Sequence, residues 1–350
     1  MKQAFSLAAI ASLAAAQGSG LREFENLVTF GDSYTDEGRL GYFFGGNGAP
    51  PAGELLPESN ATSTGGYIWP RIIARNTGAK SFNYAVSGAT CSDEIVARYL
   101  EGIGQNFPSV TEYELPAFEA DREFEDLYGA VEADNTVYAL WIGTNDLGGD
   151  RAMLTGNQVE GATLGSFVDC TFAVFDRVYE AGGRHFVLLN TVPLELSPLY
   201  QLPEEGGTGD SQFWGNKTSY DTELLKDKML QYTTAVNSMW EYGVPFHLRL
   251  GARWPEASFT IFDVHSLFHD IIADPESYLD APANVTGYYH HCNVDGEACV
   301  DSEEPMSSFL WYDELHPSER ADEIIAEEFV RVVNGESEYG TTYTAAATKR

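Results

Sequence analysis

Four short segments of the 350-residue chain concentrate the residues that acyl chemistry needs: Gly31-Asp32-Ser33, Ser87-Gly88-Ala89, Gly143-Thr144-Asn145-Asp146 and Asp313-Glu314-Leu315-His316. A serine hydroxyl is a weak nucleophile until a neighbouring base takes its proton. Histidine is the usual base near neutral pH, and a carboxylate fixes its tautomer and supports the imidazolium that forms. Asp313 and His316 are three residues apart, so one helix-like turn brings both side chains to one side. The tetrahedral intermediate needs preorganised donors, which the Gly88 backbone N–H and the Asn145 amide can supply. Gly88 approaches without a Cβ in the way, and Asn145 donates without titrating.

These segments need a scaffold that gathers them. The apolar runs "LVTF", "SFNYAV", "TVYALWIG", "HFVLLNTV" and "SFTIFDV" read as strands. Helix-patterned stretches alternate with them: "GYIWPRIIARNTG", the region from Glu112 to Glu132, "GSFVDCTFAVFDRVYEAGG" and "YDTELLKDKMLQYTTAVNSMWEYG". A last helix begins near Pro317 and stops before Gly335. Alternation of this kind predicts a parallel sheet covered on both faces by helices. Ligands bind such sheets beyond the carboxyl ends of the strands, where three of the four segments fall. The fourth precedes the last helix.

"FGDSYTDEG", "AVSGATCS", "IGTNDLGG" and "DELHPS" resemble, in order and separation, the four blocks of the GDSL or SGNH hydrolases. "GDSYTDEGRLG" and the aromatic segment around "GGYIWP" are more similar to secreted fungal acetylesterases of carbohydrate esterase family 16. The resemblance runs from Leu27 to about Ser318 and implies a three-layer α/β/α sandwich with a flavodoxin-like sheet. It implies Ser33 as nucleophile and, through its own N–H, as an oxyanion donor with Gly88 and Asn145. His316 is then the base and Asp313 its orienting acid. The implied reaction is removal of acetyl groups from carbohydrate, such as xylo-oligosaccharides, through an acyl-enzyme. A lipase or phospholipase acting on longer acyl esters is the alternative on the same machinery, and a carbohydrate-binding protein without catalysis is a rival of another class. Tyr34 departs from the leucine of the GDSL name, and Arg39 stands where many relatives carry asparagine. Both changes bear on the pocket.

Tyr34, Trp69 and Asp32 are the candidate substrate contacts, with Tyr67, Tyr42 and Phe43 as further aromatics able to stack on sugar. Asp32 and Asp36 also suit bonding to loop N–H groups, and Asp146 suits bracing its own loop. Asp263-Val264-His265 competes for the base role, and His265/His269 or His290-His291-Cys292 for metal binding. The third ligand of a His-Glu-x-x-His site is missing from the former. No metal or cofactor is expected.

The formal net charge of −33 is carried by acidic residues scattered along the chain. Such a surface repels polyanions, which disfavours nucleic acid and anionic membranes and favours a neutral substrate; the resemblance implies an acetylated oligosaccharide or other small ester, and a monomer is expected. Residues 1–16 read as a secretory signal and 17–335 as a single domain followed by a polar tail, 336–350. A secreted, soluble protein is expected. Asn60, Asn216 and Asn284 head glycosylation sequons. Cys292 and Cys299 bracket a short loop that suits a disulfide, leaving Cys91 for Cys170. Four cysteines permit three connectivities, and spacing does not choose among them.

Overall fold

Each of the five apolar runs forms a strand. In the computed structural model, which describes residues 23–45 and 48–345, they are β1 (Asn26–Gly31), β2 (Lys80–Asn83), β3 (Thr136–Trp141), β4 (His185–Leu189) and β5 (Ser258–Phe262). β1 and β3 are buried along their whole length, as strands covered on both faces must be. The "SFNYAV" strand ends early, at Asn83. Tyr84 N–H and Val86 N–H still bond Thr29 and Gly31 carbonyls at 2.9 and 3.1 Å, so the two chains run side by side to the sheet edge.

The sheet order is β6-β5-β4-β3-β1-β2, with all neighbours parallel except β6 (Gly340–Thr344). β6 corrects the expectation of a polar tail after Gly335: the segment pairs antiparallel with β5. Its "GTTYT" sequence is rich in β-branched and aromatic residues, which suits an edge strand facing water on one side. Residues 1–16 and 346–350 lie outside the described residues.

Side chains alternate between the two faces. Trp141 and Phe262 meet α1 (Trp69–Thr77) and α5 (Glu319–Asn334) through Trp69 and Phe329, with ring centroids 5.1–6.4 Å apart. Tyr138 and Phe259, three positions earlier in the same strands and so on the opposite face, meet α2 (Leu115–Asp121) and α3 (Leu164–Glu180) through Phe118 and Phe175. α4 (Thr222–Pro245) packs beside α3 through Trp240 and Phe167. The result is an α/β/α sandwich.

α5 starts after Ser318, whose hydroxyl accepts from Ala321 N–H at 3.2 Å, and stops at Gly335 in the left-handed region (φ 73°). Pro317 therefore stands just ahead of the cap. The Glu112–Glu132 stretch is broken rather than one helix. A π-type turn at Val110–Glu114 leads into α2, and Glu114 turns inward to accept from Gly31 N–H at 2.9 Å. Disulfides join Cys91 to Cys170 and Cys292 to Cys299, selecting one of the three connectivities. Among the described residues, no helix is long and apolar enough to cross a membrane.

Candidate active site

β1 lies between β2 and β3, at the point where the winding of the sheet reverses and a crevice opens beyond the strand ends. Gly31 is in register with Trp141, so the residues following both strands emerge at one rim. Gly31 has φ 148°, and a Cβ there would collide with the Trp141 carbonyl. Only glycine lets the chain turn so tightly into Asp32 and Ser33.

At this rim Ser33 Oγ lies 2.8 Å from His316 Nε2, and His316 Nδ1 lies 2.9 Å from each Asp313 oxygen. All three residues are buried. Asp313 Oδ1 also accepts from the backbone N–H groups of Leu315 and His316, at 2.9 and 2.7 Å. The turn joining acid and base is thus held by the acid itself. Phe213 and Tyr34 set their rings edge-on to the imidazole, with centroids 5.2 and 5.8 Å away.

Burial pulls the His316 imidazole toward its neutral form, but the carboxylates of Asp313, Asp32 and Glu314 outweigh it and its pKa is raised above 6.5. Burial raises Asp32 to about 6, against the lowering effects of the Tyr34 N–H bond and of His316 and Arg98.

Ser33, Gly88, Asn145 and His316 line one cavity of about 320 Å³. Among the described residues, the N–H groups of Ser33 and Gly88 donate to no protein acceptor. Gly88 has φ 85°, and the Phe107 ring occupies the space a Cβ would need. Asn145 Nδ2 donates to Ala89 O at 3.0 Å, and its second hydrogen has no partner among the described residues. A hydroxyl on a base, with unpartnered donors around the same cavity, is an arrangement able to attack a carbonyl and hold the resulting oxyanion. Asp146 ties its loop to the one that runs on from Gly88: Oδ1 accepts from Cys91 N–H at 2.9 Å, and burial raises its pKa to about 8.

The three candidate substrate contacts do not reach this cavity. Trp69 is wholly buried between Trp141 and Phe329, its indole N–H 3.3 Å from Thr35 Oγ1; its place on the apolar face of α1 makes it core. Tyr34 is buried and donates its hydroxyl to Leu315 O at 2.7 Å, supporting the His316 turn. Asp32 is buried and accepts from Tyr34 N–H at 3.0 Å. Arg39 is likewise turned away, donating to Asn83 O at 2.8 Å. Tyr67 lies under Arg75, and Phe43 packs on Tyr113.

The aromatics that line the cavity are Phe107, Tyr200 and Phe213. Phe107 and Phe213 sit in irregular loops, where no periodicity marks a residue's direction.

The rival histidines have other duties. Asp263 caps the helix Val264–Ala273, while His265 Nδ1 lies 3.1 Å from Thr191 O. His290 pairs with Asp301 and His291 with Glu314, beside the disulfide-closed hairpin. Asn60 and Asn216 are exposed, whereas half-buried Asn284 bonds Gly287 N–H at 2.8 Å.

Comparisons with known proteins agree with this architecture. A family model described as GDSL-like Lipase/Acylhydrolase matches residues 27–329. An acetylesterase of Hypocrea jecorina is 48% identical over 321 residues, covering 91% of this chain and 91% of its own length. An acetylesterase of Thermothelomyces thermophilus is 27% identical over 63% of this chain and 76% of its own. GDSL esterase/lipase 7 of Arabidopsis thaliana is 23% identical, over 85% of each.

Proposed function

The chain belongs to the GDSL-like lipase and acylhydrolase family, and from that premise we propose that it is a secreted serine esterase that removes acetyl groups from carbohydrate through an acyl-enzyme. The observation that carries the mechanism is the 2.8 Å contact of Ser33 Oγ with His316 Nε2, backed by Asp313. His316 takes the serine proton as Ser33 attacks the ester carbonyl, then returns it to the departing alcohol. The N–H groups of Ser33 and Gly88 and the Asn145 amide hold the oxyanion. Water, activated by His316 in the second half, releases acetate and restores Ser33.

Three observations support the substrate class. A cavity of about 320 Å³ stands at the small end of ligand pockets, which span roughly 300–1,000 Å³, and so favours a short acyl group. Ser63, Ser87 and Gln212 at its walls offer hydroxyl and amide partners for a sugar. The net charge of −33 repels anionic lipid surfaces. Two disulfides and the exposed sequon residues Asn60 and Asn216 support secretion, with Asn284 the poorest acceptor of the three.

The test is hydrolysis of an acyl-chain series and of acetylated xylo-oligosaccharides by the wild type and by Ser33→Ala. Activity confined to acetyl and propionyl esters and lost in Ser33→Ala is expected. Rates that rise with chain length would instead identify a lipase, and hydrolysis surviving in Ser33→Ala would remove Ser33 from the mechanism.

A further inference from the structure

We propose that Arg98, which lies outside all four sequence segments, is the positioning residue of the oxyanion hole; this rests on the esterase reading above. A single guanidinium nitrogen, Nη1, donates to Gly88 O at 2.9 Å and to Asn145 Oδ1 at 2.5 Å. Guanidinium has donors only, so it can donate only to the oxygen end of the Asn145 amide. A flipped amide would set N–H against N–H. With Oδ1 held, Nδ2 bonds Ala89 O and keeps its second hydrogen for the cavity.

The same nitrogen pins the peptide that follows Gly88. That peptide is also held from its other end, where Ala89 N–H bonds Val86 O at 2.9 Å. The plane of that peptide is therefore fixed at both ends, directly beside the Ser87–Gly88 peptide that carries the oxyanion N–H.

Arg98 is itself delivered by a small hairpin in which Tyr99–Leu100 pairs with Gln105–Asn106. Phe107 N–H bonds Arg98 O at 2.8 Å to close the hairpin's base. Phe107 then places its ring under the Arg98 guanidinium, 4.9 Å from centroid to carbon, and against Gly88. One hairpin thus supplies both the group that orients the donors and the ring that reserves glycine at position 88. The half-buried cation also stands next to the site where negative charge develops, which strengthens the hold on the transition state more than on the neutral substrate.

The test is a double-mutant cycle, reading kcat and KM on a small chromogenic acetyl ester. Loss of one oxyanion donor lowers kcat by about 10²–10³-fold. Arg98→Met is expected to lower kcat about 30- to 100-fold with KM within about threefold. Residues that act as one unit do not add, so in an Asn145→Ala background the same change should cost clearly less, about three- to tenfold, the part that acts through Gly88 and the charge. Arg98→Lys, which keeps a cation and a donor nitrogen, should retain at least about a tenth of wild-type kcat. If Arg98→Met does not fold by circular dichroism, the Lys variant runs the same cycle. Equal losses with and without Asn145, or a raised KM with kcat intact, would overturn the proposal and make Arg98 an independent or substrate-binding group. A wild type inactive on every ester would overturn the esterase function itself, and this inference with it.

Discussion

Asp36 holds Ser87 twice: its Oδ2 accepts from the Ser87 N–H and from the Ser87 hydroxyl, each at 2.8 Å. Its other oxygen accepts from Gly38 and Arg39 N–H groups at 2.8 and 2.6 Å. One carboxylate therefore ties the loop carrying Ser33 to the loop carrying Gly88. Asp36→Ala should lower stability by about 1–3 kcal/mol, the cost of leaving buried donors unpaired. It should also lower kcat at least about tenfold by misplacing the Gly88 donor, while Asp36→Asn, which keeps one acceptor oxygen, falls between. Chemical denaturation and ester kinetics on the same variants check both. Lost stability with unchanged kcat would mean that the two loops are held independently.

The pH dependence of activity follows from His316. Its imidazole must be neutral to accept the serine proton, and its pKa is raised above 6.5, burial being outweighed by Asp313, Asp32 and Glu314. Activity is then lost as pH falls through that raised value, so the acid limb of kcat/KM should lie above pH 6.5, with a slope of about one. Asp32→Asn removes one raising charge and should move the limb to lower pH. A limb below pH 6 in the wild type would contradict the electrostatics described above.

Stability should run the opposite way. Burial raises the Asp146 carboxyl to about 8 and Asp32 to about 6, both from 3.8. The fold prefers these groups protonated, so their contribution is fully present below 3.8. It is lost as pH rises to about 8 for Asp146 and to about 6 for Asp32. Raised His316 acts in the same direction, as does the mounting repulsion among surface carboxylates. Tm should be higher near pH 5 than near pH 8. Asp146→Asn, which keeps an oxygen for the Cys91 N–H, should raise Tm near pH 8 and flatten the profile. Calorimetry across this range decides the matter.

The two disulfides should differ in consequence. Cys91–Cys170 spans 79 residues and anchors to α3 the loop that runs on from Gly88, whereas Cys292–Cys299 spans 7 in a surface hairpin. Loss of a native disulfide costs about 2–5 kcal/mol, with longer loops at the upper end. Replacing Cys91 and Cys170 by serine should therefore lower both Tm and kcat, because Cys91 also donates to Asp146 beside the oxyanion donors. The same change at Cys292 and Cys299 should lower Tm less and leave kcat within about threefold.

The architecture was legible because apolar runs and turn residues are local signals. Five strands, their alternation with helices and the positions just beyond the strand ends could all be read from neighbouring residues. The start of the last helix near Pro317 and its stop before Gly335 belong to the same class. What failed was direction. Trp69, Tyr34 and Asp32 carry side chains suited to a ligand, yet each points inward, because packing against Trp141, Leu315 and the β1 turn decides orientation. Phe107 and Phe213 point into the cavity from loops without periodicity, and nothing local announces it. The edge strand at Gly340–Thr344 was hidden because its five residues carry no Val, Ile, Leu or Phe to form an apolar run, and it becomes a strand only when β5 offers its unpaired edge.

By itself, then, the amino-acid order determined which residues could do chemistry and which stretches would be strand or helix, since both depend on groups close along the chain. The tertiary structure alone decided that Ser33 and His316, 283 residues apart, touch at 2.8 Å. It also decided that Arg98 reaches Gly88 and Asn145 together. Those contacts arise from sheet order and hydrogen bonds between distant loops, and neither is encoded in any single segment.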